Sequence, residues 1–184
     1  EELRRKTGAE VVTADRGGSV TYHGPGQAVA YLLLNLKAWG LEIHRHIWNL
    51  EEVAIRALGS FGLSGRRVAS MTGVWCPLPE APGGASGRAD RRVAKVCAVG
   101  VGCRRWVTYH GLSLNVDMDL TPFEAIDPCG LGRRPVSSVA ELLGRAVALK
   151  EAEEALVNAF AEVLDAAPSY DRPGGRPSVT GGSP

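Results

Sequence analysis

Cys129 stands in the run Asp127-Pro128-Cys129-Gly130-Leu131. The proline fixes its own backbone angle, and the glycine is open to conformations that other residues avoid. This frame predicts a tight, exposed bend, which suits a thiol that must reach a substrate better than one that fills a core. Thirty-four residues upstream, Lys95 is the only charge between Ala94 and Gly102, in a run from Arg92 to Val101 that reads as a buried strand. A cysteine and a lysine so placed point to covalent acyl chemistry, in which a thiolate attacks an activated acyl group. A free thiol with a pKa of about 8.5 is only a few per cent thiolate near neutrality. A neighbouring ammonium would favour the thiolate, whereas a desolvated, neutral lysine would take the thiol proton itself. The residues leave both roles open. Against them stand two plainer readings: Cys129 as a structural thiol, and Lys95 as an edge-strand residue whose stem covers apolar surface.

The chain bounds what such a pair can belong to. Its 184 residues suffice for one domain with a sizeable core, and an apolar fraction of 45% with 22% charged residues is that of an ordinary soluble protein. A net charge of +1 argues against a nucleic-acid binder, which needs a concentrated basic footprint. No apolar run approaches the roughly 18 residues of a membrane-spanning helix. The cysteines Cys76, Cys97, Cys103 and Cys129 form no Cys-x-x-Cys pair, and the four histidines show no metal-ligand spacing. Free thiols in a reducing, cytoplasmic compartment are therefore expected, with Cys76, Cys97 and Cys103 structural and no metal bound. The chain opens at Glu1 inside a charged stretch and reads as truncated at its N-terminus.

The elements that must position the pair follow from pattern. Glu10–Ala14 and Ser19–Tyr22 are short β-branched runs, and Ala28–Leu36 is a longer apolar run of the kind buried on both faces of a sheet. Between them, Arg16 to Gln27 holds four glycines, a proline and a histidine, a loop whose backbone N–H groups can approach a ligand closely. Apolar residues at spacings of three and four predict helices over 43–61 and 149–164. His44 and His46, two apart on the first of these, read as surface or helix-start residues. Val68–Cys76 reads as a strand. Trp106–Tyr109 and Leu112–Asp117 read as strands flanking a turn at His110-Gly111. Ser137 or Ser138 is a candidate cap for a short helix through Leu143. Pro77–Asp90 reads as a Pro/Gly/Ala loop. The expectation is one α/β (α+β) domain over 1–167 and a disordered tail over 168–184.

Taken together, these blocks are more specific than any one of them. Arg16-Gly17-Gly18-x-Val20-Thr21-Tyr22-His23-Gly24-Pro25-Gly26-Gln27 resembles the signature loop of the lipoyl/octanoyl transferase family, also called lipoate-protein ligase B. Gly73-Val74-Trp75, Lys95 to Val101, His110 to Asp117 and Pro128-Cys129-Gly130 resemble its other blocks in the same order. The resemblance spans roughly Val11 to Leu143. It implies a mixed sheet flanked by helices, as in the catalytic domains of biotin protein ligase and lipoate ligase, here without the family's N-terminal strand and helix. It implies transfer of an octanoyl group from acyl carrier protein to a lysine on lipoyl domains of 2-oxoacid dehydrogenases and on the glycine-cleavage H protein.

The same resemblance implies that Cys129 carries the acyl group and that Lys95 is its partner. It further implies an acyl pocket lined by Arg16, Gly17, Gly18, Ser19, Val20, Thr21, Tyr22, His23, Tyr31, Ala98, Val99, Gly100, Gly111, Leu112 and Ser113. No cofactor is expected, because a thioester donor already carries the energy an amide needs. Lys95 is placed to assist as general base toward the incoming amine, whose free pKa is near 10.4. Backbone N–H groups near Gly130 or Gly17-Gly18 are candidate oxyanion donors. His23 and His110 each precede a glycine and are expected to line the pocket, with general-base duty a secondary reading. The doublets Arg66-Arg67, Arg91-Arg92, Arg104-Arg105 and Arg133-Arg134 offer either a docking face for the acidic carrier protein or a merely solvated basic face. Two rivals remain: an ATP-dependent lipoate or biotin ligase, and a non-catalytic acyl- or carrier-binding protein.

Overall fold

The spacing of apolar residues after Ile43 produces helix α1 (Ile43–Ser60), which turns Leu50, Val53, Ala54, Ala57 and Leu58 inward. A second amphipathic run produces α3 (Leu149–Leu164), whose buried residues are Ala152, Leu156 and Ala159. The two helices pack on each other and, with Val96, Cys97, Leu112 and Leu114 from the sheet, enclose the main core. Between them lies the short α2 (Val139–Leu143), preceded by Ser138. That serine's hydroxyl accepts from the Glu141 N–H at 3.2 Å, a cap contributing about 1 kcal/mol. The structure, a computed structural model, describes residues 4–5, 8–78, 93–126 and 135–166.

Among the described residues, five strands form one sheet: β1 (Gln27–Tyr31), β2 (Arg66–Val68), β3 (Met71–Pro77), β4 (Val93–Arg104) and β5 (Val107–Asn115). Their order is β1-β5-β4-β3-β2, and each of these ladders is antiparallel. A parallel bridge between Lys95 and Val136 completes a mixed sheet with helices against it.

Several expectations change in detail. The run Ala28–Leu36 is not buried on both faces. It follows β5 as the edge of the sheet among the described residues, and Val29, Tyr31 and Leu33 are exposed by 47%, 54% and 73%. Its pairing continues past β1 through Leu32 N–H to His110 O and Thr108 N–H to Leu34 O, so the extended conformation persists while the burial does not. Val68–Cys76 is two strands, β2 and β3, joined by a turn in which Ser70 has φ 62°. The turn expected at His110-Gly111 lies instead at Arg105-Trp106, with φ 52° and 67°, and β5 runs unbroken through His110. Positive φ at both central residues is the two-residue hairpin geometry, usually signalled by Asn-Gly; here neither residue announces it. Glu10–Ala14 and Ser19–Tyr22 form no strand.

His46 is not a surface residue but fully buried in α1, and neither ring nitrogen has a hydrogen-bond partner among the described residues. Burial disfavours the imidazolium and lowers its pKa from the ordinary 6.5. The unfolded chain, with the ordinary value, then binds a proton that the folded chain refuses. Stability contributed by neutral His46 is complete above about pH 6.5 and lost as pH falls below it toward the lowered folded value. Chemical denaturation across this range is expected to show stability falling with pH, and His46→Leu to flatten that slope.

Candidate functional site

Alternation along β5 divides the sheet into two sides, and a register shift between β3 and β4 at Val74/Trp75 lets the neighbours Val96 and Cys97 both face the core. Val96, Leu112 and Leu114 point into the helical core, while Lys95 and Ser113, one residue out of step, line a cavity of about 740 Å³. Small-molecule sites commonly occupy roughly 300–1,000 Å³. Of the residues expected at an acyl pocket, Arg16, Gly18, Ser19, Val20, Thr21, Tyr22, His23, Tyr31, Ala98, Val99, Gly100, Gly111, Leu112 and Ser113 all lie on this wall. Gly17 does not. Its N–H donates to Val101 O at 3.0 Å and ties the loop to β4. Arg16 spends Nη1 on the loop itself, donating to Gly17 O at 3.1 Å and Ser19 O at 2.9 Å.

The loop is held at its far end by Gly26, whose carbonyl accepts from the N–H groups of Val116 and Asp117. With φ at +82°, a Cβ on this residue would lie 1.9 Å from Asp117 O, so only glycine fits the approach. Tyr22 meets Phe123 edge-on at 5.8 Å, and Tyr31 meets His110 edge-on at 5.2 Å, setting aromatic walls on the cavity. His110 therefore also lines it.

Lys95 is placed from three directions. On β3 its register partner is Trp75, and Nζ lies 5.4 Å from the Trp75 ring centroid, within cation–π range. On the other side its N–H donates to Pro135 O at 2.9 Å and its carbonyl accepts from Ser137 N–H at 3.0 Å. Beneath it, Gly73 has φ +113°, and a Cβ there would come within 2.7 Å of Lys95 Cε and 2.5 Å of Cys97 O. The Gly73 N–H donates to Glu51 Oε1 of α1 at 2.8 Å, while Arg67 Nε donates to Glu51 Oε2 at 3.1 Å. Gly73→Ala thus displaces the Lys95 stem and adds backbone strain of about 1–3 kcal/mol. A lowered melting temperature together with lost activity is the expected result, and unchanged activity would show that Lys95 does not need this slot.

Arg67 also reaches Glu52 Oε2 at 2.9 Å and lies over the Trp48 ring at 4.1 Å. It is committed to the fold, so the Arg66-Arg67 doublet does not offer two outward charges. Arg91-Arg92 and Arg133-Arg134 lie outside the described residues.

Cys129 and its frame, Asp127 to Leu131, also lie outside the described residues. The described cavity-lining residues on either side of it are Phe123 and Val136. Among the thiols that are described, burial pushes Cys97 up to about 12 and Cys76 up to about 11, which keeps both protonated and inert at neutral pH. Cys103, expected to be structural, is exposed on β4. Wall residues missed from sequence include Ser70, Met71 and Thr72, which reading Val68–Cys76 as one strand left out of consideration. Asn115, within the block His110 to Asp117, lies on the wall as well. No group of three or more metal-ligating side chains occurs among the described residues, and no described helix is long and apolar enough to cross a membrane.

Comparison with known proteins adds to this geometry. The family model of the lipoyl protein ligase A/B catalytic domain matches residues 1–161. An octanoyltransferase of Chloroflexus aurantiacus is 46% identical over 165 residues, which cover 89% of this chain and 68% of that protein. One from Geobacter metallireducens is 40% identical, covering 86% and 67%. One from a Synechococcus strain is 44% identical, covering 84% of this chain and 53% of its own length. Among solved structures, a bipartite lipoate protein ligase from Thermoplasma acidophilum superposes with a TM-score of 0.68 at 18% identity, covering 92% of this chain and 64% of that one. Lipoate-protein ligase A bound with ATP gives 0.64 at 17% identity, covering 92% and 65%. At these identities the structural likeness establishes the fold alone.

Proposed function

Because this chain belongs to the lipoyl protein ligase A/B catalytic domain family, we propose that it transfers an octanoyl group from acyl carrier protein, through a thioester on Cys129, to a lysine of a lipoyl domain. The observation that carries this reading is Lys95 on the wall of the cavity, with Phe123 and Val136, on either side of Cys129 in sequence, on the same wall. The relatives named octanoyltransferase, at 40–46% identity, support transfer from a carrier over ATP-dependent ligation. Lipoyl domains of 2-oxoacid dehydrogenases and the glycine-cleavage H protein are the acceptors this reading names, in the cytoplasm.

In the first step the Cys129 thiolate attacks the thioester carbonyl of octanoyl-acyl carrier protein. A C–S bond to Cys129 forms as the carrier's C–S bond breaks. Lys95 takes the Cys129 proton and returns it to the departing carrier sulfur, so no net proton is consumed. One thioester replaces another, and the exchange is close to isoenergetic. In the second step the acceptor amine, having lost a proton, attacks the acyl carbonyl. The amide C–N bond forms, the bond to Cys129 breaks, and the thiolate recovers a proton. Conversion of a thioester to an amide runs downhill, which removes any requirement for nucleotide.

The test supplies octanoyl-acyl carrier protein and an apo lipoyl domain in one reaction, and free octanoate with ATP and Mg²⁺ in another. Transfer in the first alone is expected. Transfer in the second alone would make the protein a ligase, and binding without transfer in either would make it a carrier- or acyl-binding protein.

A further inference from the structure

A buried chain of amides runs from His23 to the strand that carries Lys95. His23 Nδ1 lies 2.7 Å from Gln27 Oε1. Gln27 Nε2 donates to Asn115 Oδ1 at 2.8 Å and to Tyr22 O at 3.3 Å. Asn115 Nδ2 donates to Ser137 O at 3.0 Å, and Ser137 N–H donates to Lys95 O at 3.0 Å. Gln27, Asn115 and Ser137 are 7%, 4% and 1% exposed, so these bonds are made in a setting where an unmatched polar atom is costly.

The direction of the chain is not free. Backbone carbonyls only accept, and one stands at each end. Reversing Asn115 would set its oxygen against Ser137 O. Reversing Gln27 would set its oxygen against Tyr22 O and Asn115 Oδ1. Gln27 must therefore present its oxygen to His23, and that oxygen can only accept. In the neutral ring the proton therefore sits on Nδ1, which leaves Nε2 as a lone-pair acceptor on the opposite side of the ring. His23 lines the cavity, and no described residue bonds Nε2.

From this geometry we infer that His23 is a further catalytic residue, locked as the Nδ1–H tautomer by Gln27 and Asn115 so that Nε2 accepts a hydrogen bond from the acceptor lysine's amine during the second step. The inference deepens the octanoyl-transfer reading and rests on it. The acyl chain and the thioester carbonyl have no hydrogen to donate. The incoming amine does, and must part with a proton as the amide forms. Lys95 handles the exchange between sulfurs, and His23 receives the amine. Gln27 and Asn115 are positioning residues.

Two measurements test this. Long-range ¹H–¹⁵N correlation spectra of the uniformly labelled wild-type protein, recorded where His23 is neutral, are expected to show a protonated Nδ1 and an unprotonated Nε2. A dominant Nε2–H tautomer would overturn the inference whatever the protein's activity. Separately, octanoylated enzyme is mixed with an apo lipoyl domain. His23→Ala is expected to slow this second step about 100-fold and to recover part of the rate with added free imidazole. A His23→Ala protein slowed only in acquiring the octanoyl group from the carrier, or not rescued by imidazole, would likewise overturn it. If wild-type enzyme never becomes octanoylated, the transfer reading itself fails, and the tautomer spectrum still decides the amide chain.

Discussion

Cys129→Ala is expected to lose transfer from octanoyl-acyl carrier protein to an apo lipoyl domain by on the order of 10³-fold or more, the scale of removing a covalent nucleophile. The loss follows from how the reaction is divided. With a thioester on Cys129, the carrier protein departs before the acceptor domain arrives, so one cavity serves two protein partners in turn. Without it, both partners must present their reacting groups to the same cavity of about 740 Å³ at once. No other described cysteine replaces it: burial holds Cys97 and Cys76 as protonated thiols, and Cys103 is not on the cavity wall. The measurement is initial rate with both partners present, alongside a melting curve showing that the variant folds. Full activity in a folded Cys129→Ala protein would end the covalent proposal.

Lys95→Ala is expected to lower the same rate by about 10²–10⁴-fold, the usual contribution of a positioned acid–base group, or roughly 3–5 kcal/mol of barrier. Lys95→Arg separates the two roles the sequence left open. Arginine keeps the charge but does not give up its proton at any working pH. If Lys95 carries a proton between sulfurs, arginine fails to restore activity, and this is the expected outcome. Activity restored near wild type would instead show that the fixed charge alone suffices. The slot over Gly73 was shaped around a lysine stem, so the arginine variant is read together with its melting curve.

The parts of this fold legible in the sequence are those where one residue type at one spacing has one physical outcome. Helices α1 and α3 were expected because their apolar residues fall at steps of three and four, and a serine cap at Ser137 or Ser138 because Glu141 falls near the first turn; the structure gives the cap to Ser138. The strand of Lys95 was expected because Arg92 to Val101 is an apolar run, in which Lys95 is the one charge after Ala94. The family resemblance then assembled residues as distant as Arg16 and Ser113 into one pocket, an arrangement no local spacing contains.

Features set by partners distant in sequence carry no local signal. Whether Val29 and Leu33 are covered depends on the neighbour of β1, not on their own type. The turn at Arg105-Trp106 uses residues that normally avoid positive φ. His46 sits in a helix whose buried stripe is wide enough to swallow it. The amide chain through Gln27 and Asn115 joins residues 88 positions apart, and glutamine and asparagine carry no pattern that marks them as buried.

The most direct test of the acyl relay is intact-protein mass spectrometry after incubation with octanoyl-acyl carrier protein and no acceptor. The expected result is a protein heavier by one octanoyl group, mapped to Cys129, that returns to its original mass when an apo lipoyl domain is added. Rapid transfer to the domain by a protein that never gains that mass, or that carries the group on another residue, would contradict it.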